Sequence, residues 1–357
     1  MMRQLLSILI ISLLYGCSSQ EKAETADNRK SPRIRKQIQL INPSGNMTLT
    51  LGETVDFEIK HREGAQIDSA FLVTDEDTVQ LSDNQVKYTH SYSVGKPNLK
   101  IIAYSNGEQE TVYPSVTYLS PKEPQNLSYQ IVQRYPHDEE AYTQGLFFVE
   151  DQLYESTGQN GNSSLRKVDF NTGEVGNIIN LDNQYFGEGS TFINDKIYLL
   201  TWTSQVCFVY NLNFELQTQF NYSTQGWGLT TYGDKLLMSD GSEKIYLINP
   251  NDFSILKTIQ VYDHKGKVTQ LNELEYMNGK LYANIYGEDR IAIIDPVSGI
   301  VEGNIDFRGI IDRQTYRGYD YAMNGIAKGP DGRIFVTGKL WPELFEIILL
   351  PNSNNPT

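Results

Sequence analysis

Short runs in which apolar and polar side chains alternate recur along most of this chain, and a period of two is the pattern of half-buried β-strands. Between residues 37 and 121 such runs fall at 47–51, 55–59, 70–73, 86–90, 99–104 and 112–119, with turn signals such as Asn106-Gly107 between them. About six or seven strands in so short a span predict an immunoglobulin-like β-sandwich. No Cys–Trp–Cys framework accompanies them, so this expectation rests on the pattern alone. Pro121-Lys122-Glu123-Pro124 then reads as a stiff linker.

Beyond the linker the alternation becomes repetitive. Five stretches open alike: Gln144-Gly145-Leu146, Glu188-Gly189-Ser190, Trp227-Gly228-Leu229, Asn272-Glu273-Leu274 and Asn324-Gly325-Ile326. Each is followed by a short apolar run, a tight turn and another alternating run, as in Gly233-Asp234-Lys235-Leu236-Leu237-Met238-Ser239. Self-similarity at about 40–50 residues with several strands per repeat predicts a β-propeller, here five-bladed and spanning residues 125–350. The last unit runs out near residue 350 without a closing strand, which the run at 129–135 can supply. Radial packing would bring the leading residues Gln144, Glu188, Trp227, Asn272 and Asn324 into one ring at the axis. The expected class is therefore all-β, a five-bladed propeller preceded by a small sandwich.

The N-terminus is read apart from the fold. Arg3 precedes ten apolar-rich residues, 5–14, too few to span a bilayer, and Leu14-Tyr15-Gly16-Cys17 follows. A small residue directly before a cysteine after such a run resembles a bacterial lipobox. Residues 1–17 are thus expected to be a lipoprotein signal with Cys17 the lipidated residue, and 18–36, polar and charged, a flexible tether. The chain would be exported and lipid-anchored to the bacterial cell envelope. Of only two cysteines, Cys207 then has no partner, and its setting in Val206-Cys207-Phe208-Val209-Tyr210 is that of a core strand. The net charge of −14 argues against nucleic-acid binding, which needs a basic surface.

Candidate chemistry narrows quickly. The four histidines, His61, His90, His137 and His264, share no ligand spacing, so no metal site is expected. No Gly-x-Ser-x-Gly elbow and no phosphate-binding loop is present. The ring remains. Phe186-Gly187-Glu188-Gly189 sets one carboxylate beside an aromatic ring; in an apolar pocket its pKa would rise toward neutrality and it could both take and give a proton. From the pattern alone, Glu188 reads equally well as a salt-bridge or turn-capping residue. Trp202 and Trp227 stand beside blade starts, Asn272 and Gln144 offer amide donors, and Lys339, in Thr337-Gly338-Lys339, reads by default as a solvated surface lysine.

At these residues a family becomes recognisable. Tyr142-Thr143-Gln144-Gly145-Leu146, Phe186-Gly187-Glu188-Gly189, Leu200-Thr201-Trp202, Gly226-Trp227-Gly228-Leu229, Leu271-Asn272-Glu273-Leu274-Glu275, Asn324-Gly325-Ile326-Ala327 and Thr337-Gly338-Lys339-Leu340-Trp341-Pro342 closely resemble the plant-type glutaminyl cyclases, which also occur in bacteria. The resemblance covers residues 127–348 in order. It implies a five-bladed propeller and a metal-independent, cofactor-free cyclisation. It implies that Glu188 is the acid/base and that Tyr142, Gln144, Phe186, Trp202, Trp227, Asn272 and Lys339 line the pocket. Where the family usually has Ala-Asn-x-Trp, this chain reads Ala283-Asn284-Ile285-Tyr286, so Tyr286 brings a hydroxyl and substrate fit is affected.

The expected function is conversion of the N-terminal glutamine of a peptide or protein to pyroglutamate with release of ammonia, by a monomeric acyltransferase. Glu188 would carry the proton, Asn272 and Lys339 would stabilise the oxyanion, and Asn324 and Tyr286 would join the substrate-binding wall. The alternatives are a non-catalytic propeller that binds a ligand on the envelope, and a metal-dependent propeller lactonase or lyase. The latter needs an axial cage of carboxylates or histidines that the leaders do not supply.

Overall fold

Residues 36–351 are described by the structure, a computed structural model. The expected signal segment with Cys17, and residues 18–35 of the expected tether, lie outside them. Every regular element is a strand except two single-turn 3₁₀ helices, Tyr319–Tyr321 and Pro330–Gly332, among the described residues.

Nine strands come first: β1 (Ile38–Asn42), β2 (Met47–Thr50), β3 (Thr54–His61), β4 (Ser69–Val73), β5 (Thr78–Gln80), β6 (Gln85–Thr89), β7 (Lys100–Ser105), β8 (Glu108–Val112) and β9 (Val116–Leu119). They form sheets of order β1-β3-β6 and β5-β4-β7-β8, with β2 and β9 paired in parallel. Alternation decides the faces: in β3 Val55, Phe57 and Ile59 turn inward to meet Leu72, Ile101 and Tyr118, while the residues between them stay in or near solvent. The run expected at 112–119 is a strand only in its second half, β9; β8 ends at Val112, where the run begins. Pro114 falls in the middle, and with no N–H to give to a ladder it separates β8 from β9. Strands β1, β5 and all of β8 but its last residue are additions to the pattern read from sequence.

The twelve-residue β10 (Gln125–Pro136) follows, then β11 (Thr143–Val149), β12 (Gln152–Thr157), β13 (Ser164–Val168) and β14 (Val175–Asn180) as one sheet. A second sheet is β15 (Gly187–Ile193), β16 (Lys196–Thr201), β17 (Val206–Tyr210) and β18 (Leu216–Asn221). A third is β19 (Leu229–Tyr232), β20 (Lys235–Ser239), β21 (Lys244–Ile248) and β22 (Ile255–Gln260). The remainder is β23 (Leu271–Met277), β24 (Lys280–Ile285), β25 (Arg290–Ile294), β26 (Val301–Asp306), β27 (Met323–Lys328), β28 (Ile334–Gly338) and β29 (Glu343–Pro351). These seven are joined by β10 into a single eight-stranded sheet. The long β10 makes this possible: its first residues run parallel to β26, and Leu127 to Pro136 pair antiparallel with β29.

Within each four-stranded sheet the first three strands are largely buried and the last is mostly exposed. β15 is almost wholly buried, whereas β18 is mostly exposed. The first strands touch one another in a circle, β11 to β15 to β19 to β23 to β27 and back to β11. The glycine after a leader serves this approach. A Cβ on Gly228 would sit 2.1 Å from the Asn272 carbonyl oxygen of the next first strand. Glu273 takes that place in the fourth unit, and its Oε2 accepts the Ile326 N–H at 2.8 Å.

Candidate active site

The cavity is assembled from two kinds of position. The openings of first strands contribute Tyr142 and Gln144 around the start of β11, Phe186 and Glu188 at β15, Trp227 before β19 and Asn272 in β23. The ends of second strands contribute Trp202 after β16, Tyr286 after β24 and Lys339 after β28. Antiparallel hairpins return each second strand to the end where its first strand began, so the two sets meet. Together these nine side chains line one cavity of about 190 Å³.

Its walls are aromatic. The Phe186 ring packs edge-on against Tyr142 (6.1 Å between centroids) and Trp202 (5.7 Å). Opposite, Trp227 meets Tyr286 at 5.6 Å, nearly perpendicular. Such pairs contribute about 0.5–1.5 kcal/mol each beyond the area they bury. Gln225 joins the walls: its Oε1 accepts both indole N–H groups, Trp202 Nε1 at 2.8 Å and Trp227 Nε1 at 3.0 Å. Trp202, 38% exposed, stands at the mouth.

Two opposite charges lie inside. Glu188 is 5% exposed, and burial pushes its carboxyl well above the usual range, with Lys339 pulling in the other direction. Lys339 is no solvated surface lysine: it is 3% exposed and its backbone N–H is bonded to the Ala322 carbonyl. Burial lowers its pKa to about 8, opposed by Glu188 and Asp320. The ammonium lies 4.6 Å from the Tyr142 ring centre and 4.9 Å from that of Tyr286, so cation–π attraction replaces part of its lost hydration. Asn272 is buried and its Oδ1 has no partner among the described residues. Glu188 is the one carboxylate of the lining. Among the described residues no group of three or more His, Cys, Asp and Glu side chains is placed to hold a metal.

Asn324 is placed differently from the expectation that set it on the substrate wall. It is fully buried, it is not part of the lining, and its Nδ2 donates to Gln144 Oε1 (2.9 Å) and the Thr143 carbonyl (3.0 Å). Its amide NH2 is consumed in orienting Gln144, which does face the cavity, while its Oδ1 has no partner among the described residues. Gln225, Tyr319 and Asp320 were not picked out in the sequence. Gln225 directly precedes Gly226-Trp227-Gly228, the one local signal that pointed to it.

A buried ionic cluster backs the Tyr142–Gln144 and Lys339 segments. Glu155 Oε1 accepts from Thr143 Oγ1 (2.6 Å) and is 3.1 Å from His137 Nε2, while its Oε2 accepts from Arg166 Nε (2.9 Å). Arg166 reaches on to Asp138 at 2.8 Å, and His137 Nδ1 is bonded to the Trp341 carbonyl at 2.8 Å. Burial alone would raise the Glu155 pKa, but Arg166 and His137 hold it well below the carboxylate range. Burial alone would lower that of His137, yet Glu155 leaves it raised.

The comparisons with known proteins converge on one family. The glutamine cyclotransferase family model matches residues 101–349, beginning within β7 rather than at the linker. The glutaminyl-peptide cyclotransferase of Arabidopsis thaliana is 40% identical over 228 residues, which are 62% of this chain and 71% of that protein. The crystal structure of Myxococcus xanthus glutaminyl cyclase is similar with a TM-score of 0.60 and 35% identity, over 64% of this chain and 99% of that one. With its aromatic cavity around one buried carboxylate and a match that runs over most of its length, the chain belongs to the glutamine cyclotransferase family.

Proposed function

We infer that this chain is a glutaminyl-peptide cyclotransferase: it closes the N-terminal glutamine of a peptide to pyroglutamate, with release of ammonia, by acid/base chemistry that needs no metal. The observation that carries the mechanism is the single lining carboxylate, Glu188, buried among rings in the same cavity as Lys339. The activity itself comes through the family, whose members from Arabidopsis and Myxococcus bear that name.

The α-amine must lose a proton before its nitrogen attacks the γ-amide carbon, and its ordinary pKa of about 7.7–8.0 leaves much of it protonated at neutral pH. Ionised Glu188 takes that proton. As the new C–N bond forms, the γ-oxygen becomes an oxyanion, which the Lys339 ammonium and the Asn272 and Gln144 amides can stabilise. The proton on Glu188 then passes to the departing nitrogen and the old C–N bond breaks; the ring nitrogen, still carrying one proton more than a lactam holds, gives it to the departing ammonia, which leaves as ammonium with Glu188 ionised again. Because attack is intramolecular, walls that hold the side chain folded toward the amine supply much of the rate. Burial, which raises the Glu188 pKa, makes it a stronger proton acceptor than a solvated carboxylate, and Lys339, at about 8, remains largely an ammonium at neutral pH.

Incubating the purified enzyme with Gln-β-naphthylamide, before and after dialysis against EDTA or phenanthroline, tests this. Equal rates are expected; a rate that vanishes and returns with zinc overturns the metal-free mechanism.

The circle of first strands and the five leader positions support five blades, with β10 shared between the last two. Strands β1 to β9 read as the immunoglobulin-like module. Export and lipidation at Cys17 rest on the sequence, as does the monomeric state. A Cys17→Ser variant is expected to leave the membrane fraction with its turnover intact, and an unchanged membrane-bound product would remove the anchor.

A further inference from the structure

A second cavity, about 230 Å³, lies directly behind the Tyr286 wall. Three links tie it to the active-site cavity. Tyr286 lines one and its neighbour Gly287 the other; the Tyr286 ring packs on Tyr319 at 5.5 Å; and the Lys339 N–H is bonded to Ala322, which lines the second cavity. A Cβ on Gly287 would come within 2.8 Å of the Tyr319 ring, so glycine there permits the two to pack.

A peptide whose glutamine fills the first cavity carries its next residue out over the edge of that cavity, and half-buried Tyr286 with exposed Tyr319 forms one part of the edge, as Trp202 forms another. We propose that the second cavity is a subsite for the side chain of that second residue, and that it favours an aromatic one. Tyr319 presents an open ring face, 66% exposed, while Ala322 and Met323 form an apolar floor. Across from them Arg313 is held as a plane. Its N–H groups go to Asp289 and to the carbonyls of Tyr316 and Tyr321, and it lies 5.2 Å over the Trp341 ring. A guanidinium whose donors are already engaged offers chiefly its flat, weakly hydrated face, which stacks well on aromatic rings. Glu288 and Asp289 also line the cavity, but each is paired with an arginine, Arg290 and Arg313, so the cavity offers little net charge to an entering side chain. The proposal rests on the cyclotransferase reading above.

The test compares kcat/KM for Gln-Phe, Gln-Gly and Gln-Asp peptide amides on the wild-type enzyme and on Tyr319→Ala, with glutaminamide as the substrate that lacks a second residue. Ratios are taken within each enzyme, so a general change in activity cancels. Wild type is expected to prefer Gln-Phe over both Gln-Gly and Gln-Asp by roughly 2- to 12-fold, the worth of one aromatic contact. Tyr319→Ala is expected to bring the Gln-Phe to Gln-Gly ratio close to one. Equal rates in wild type, or a preference that survives in the variant, overturns the subsite while leaving the cyclotransferase in place. Wild-type enzyme that turns over neither glutaminamide nor any peptide overturns the cyclotransferase reading and the subsite with it.

Discussion

In Glu188→Gln, kcat for a glutaminyl peptide is expected to fall by at least about 10²-fold, within the 10²–10⁴ typical of a positioned acid–base group. The substitution keeps volume and hydrogen-bonding reach and removes only the ability to carry a proton. KM should move far less, because the rings of Phe186, Trp202 and Trp227 remain. Asn272→Ala should also slow turnover, but it should keep the limb of the pH–rate profile that the carboxylate sets, whereas Glu188→Gln should lose it. Stability should change in the opposite sense to activity. A carboxyl whose folded pKa lies above its unfolded value stabilises the fold most below the unfolded value, about 4.3, and that contribution is lost as pH rises through the folded pKa. Glutamine carries no such burden, so melts of the two proteins should diverge in favour of the variant from acid to alkaline pH. A near-wild-type kcat in Glu188→Gln would sink the shuttle. The neighbouring carboxylates Glu273 and Glu275 do not line the cavity. Glu273 accepts from the Ile326 N–H, and Glu275 from the Lys328 N–H and Thr230.

Glu155→Ala should be the most damaging substitution for the fold. It strands Arg166, His137 and Thr143 around a buried site, and removing one partner of a buried ion pair costs about 3–5 kcal/mol. For a domain of this size that is roughly 6–20 °C in Tm. The pH dependence follows from the signs. Glu155, held low by Arg166 and His137 against its own burial, contributes stability that is present above its unfolded pKa and lost as pH falls through the folded one. His137, raised by Glu155 against its burial, contributes most below its unfolded pKa of about 6.5 and loses that contribution as pH rises through the folded value. The gap in Tm between wild type and variant should therefore be widest in mildly acidic solution, between the ordinary pKa values of a carboxylate and a histidine. Circular-dichroism melts from pH 3 to 9 check this. A shift below about 1 kcal/mol, the size of an exposed pair, would mean that the cluster contributes little.

The amino-acid sequence by itself determined that the chain is all-β and where its units begin. Both follow from local rules: alternation of period two makes half-buried strands, and the glycines that follow most leaders recur because adjacent first strands approach too closely for a side chain, as Gly228 shows against Asn272. Spacing pointed to the leaders Gln144, Glu188, Trp227, Asn272 and Asn324, and the family likeness supplied the remaining lining residues. Tertiary structure decided the rest. Asn324 shares its leader position with Glu188, yet it turns back onto Gln144, since which leader faces the cavity depends on what its neighbours leave unbonded. Lys339 looks like any surface lysine until the rings of Tyr142 and Tyr286 close over it and strip its water. Gln225 matters only because two tryptophans 25 residues apart bring both indole N–H groups to its oxygen. Glu155 belongs to β12, which is buried on both faces, so the period-two pattern marks it as a strand residue and nothing more. That it would be held ionised by His137 and Arg166 could not be read there, because desolvation and the fields of distant residues exist only once the chain has folded.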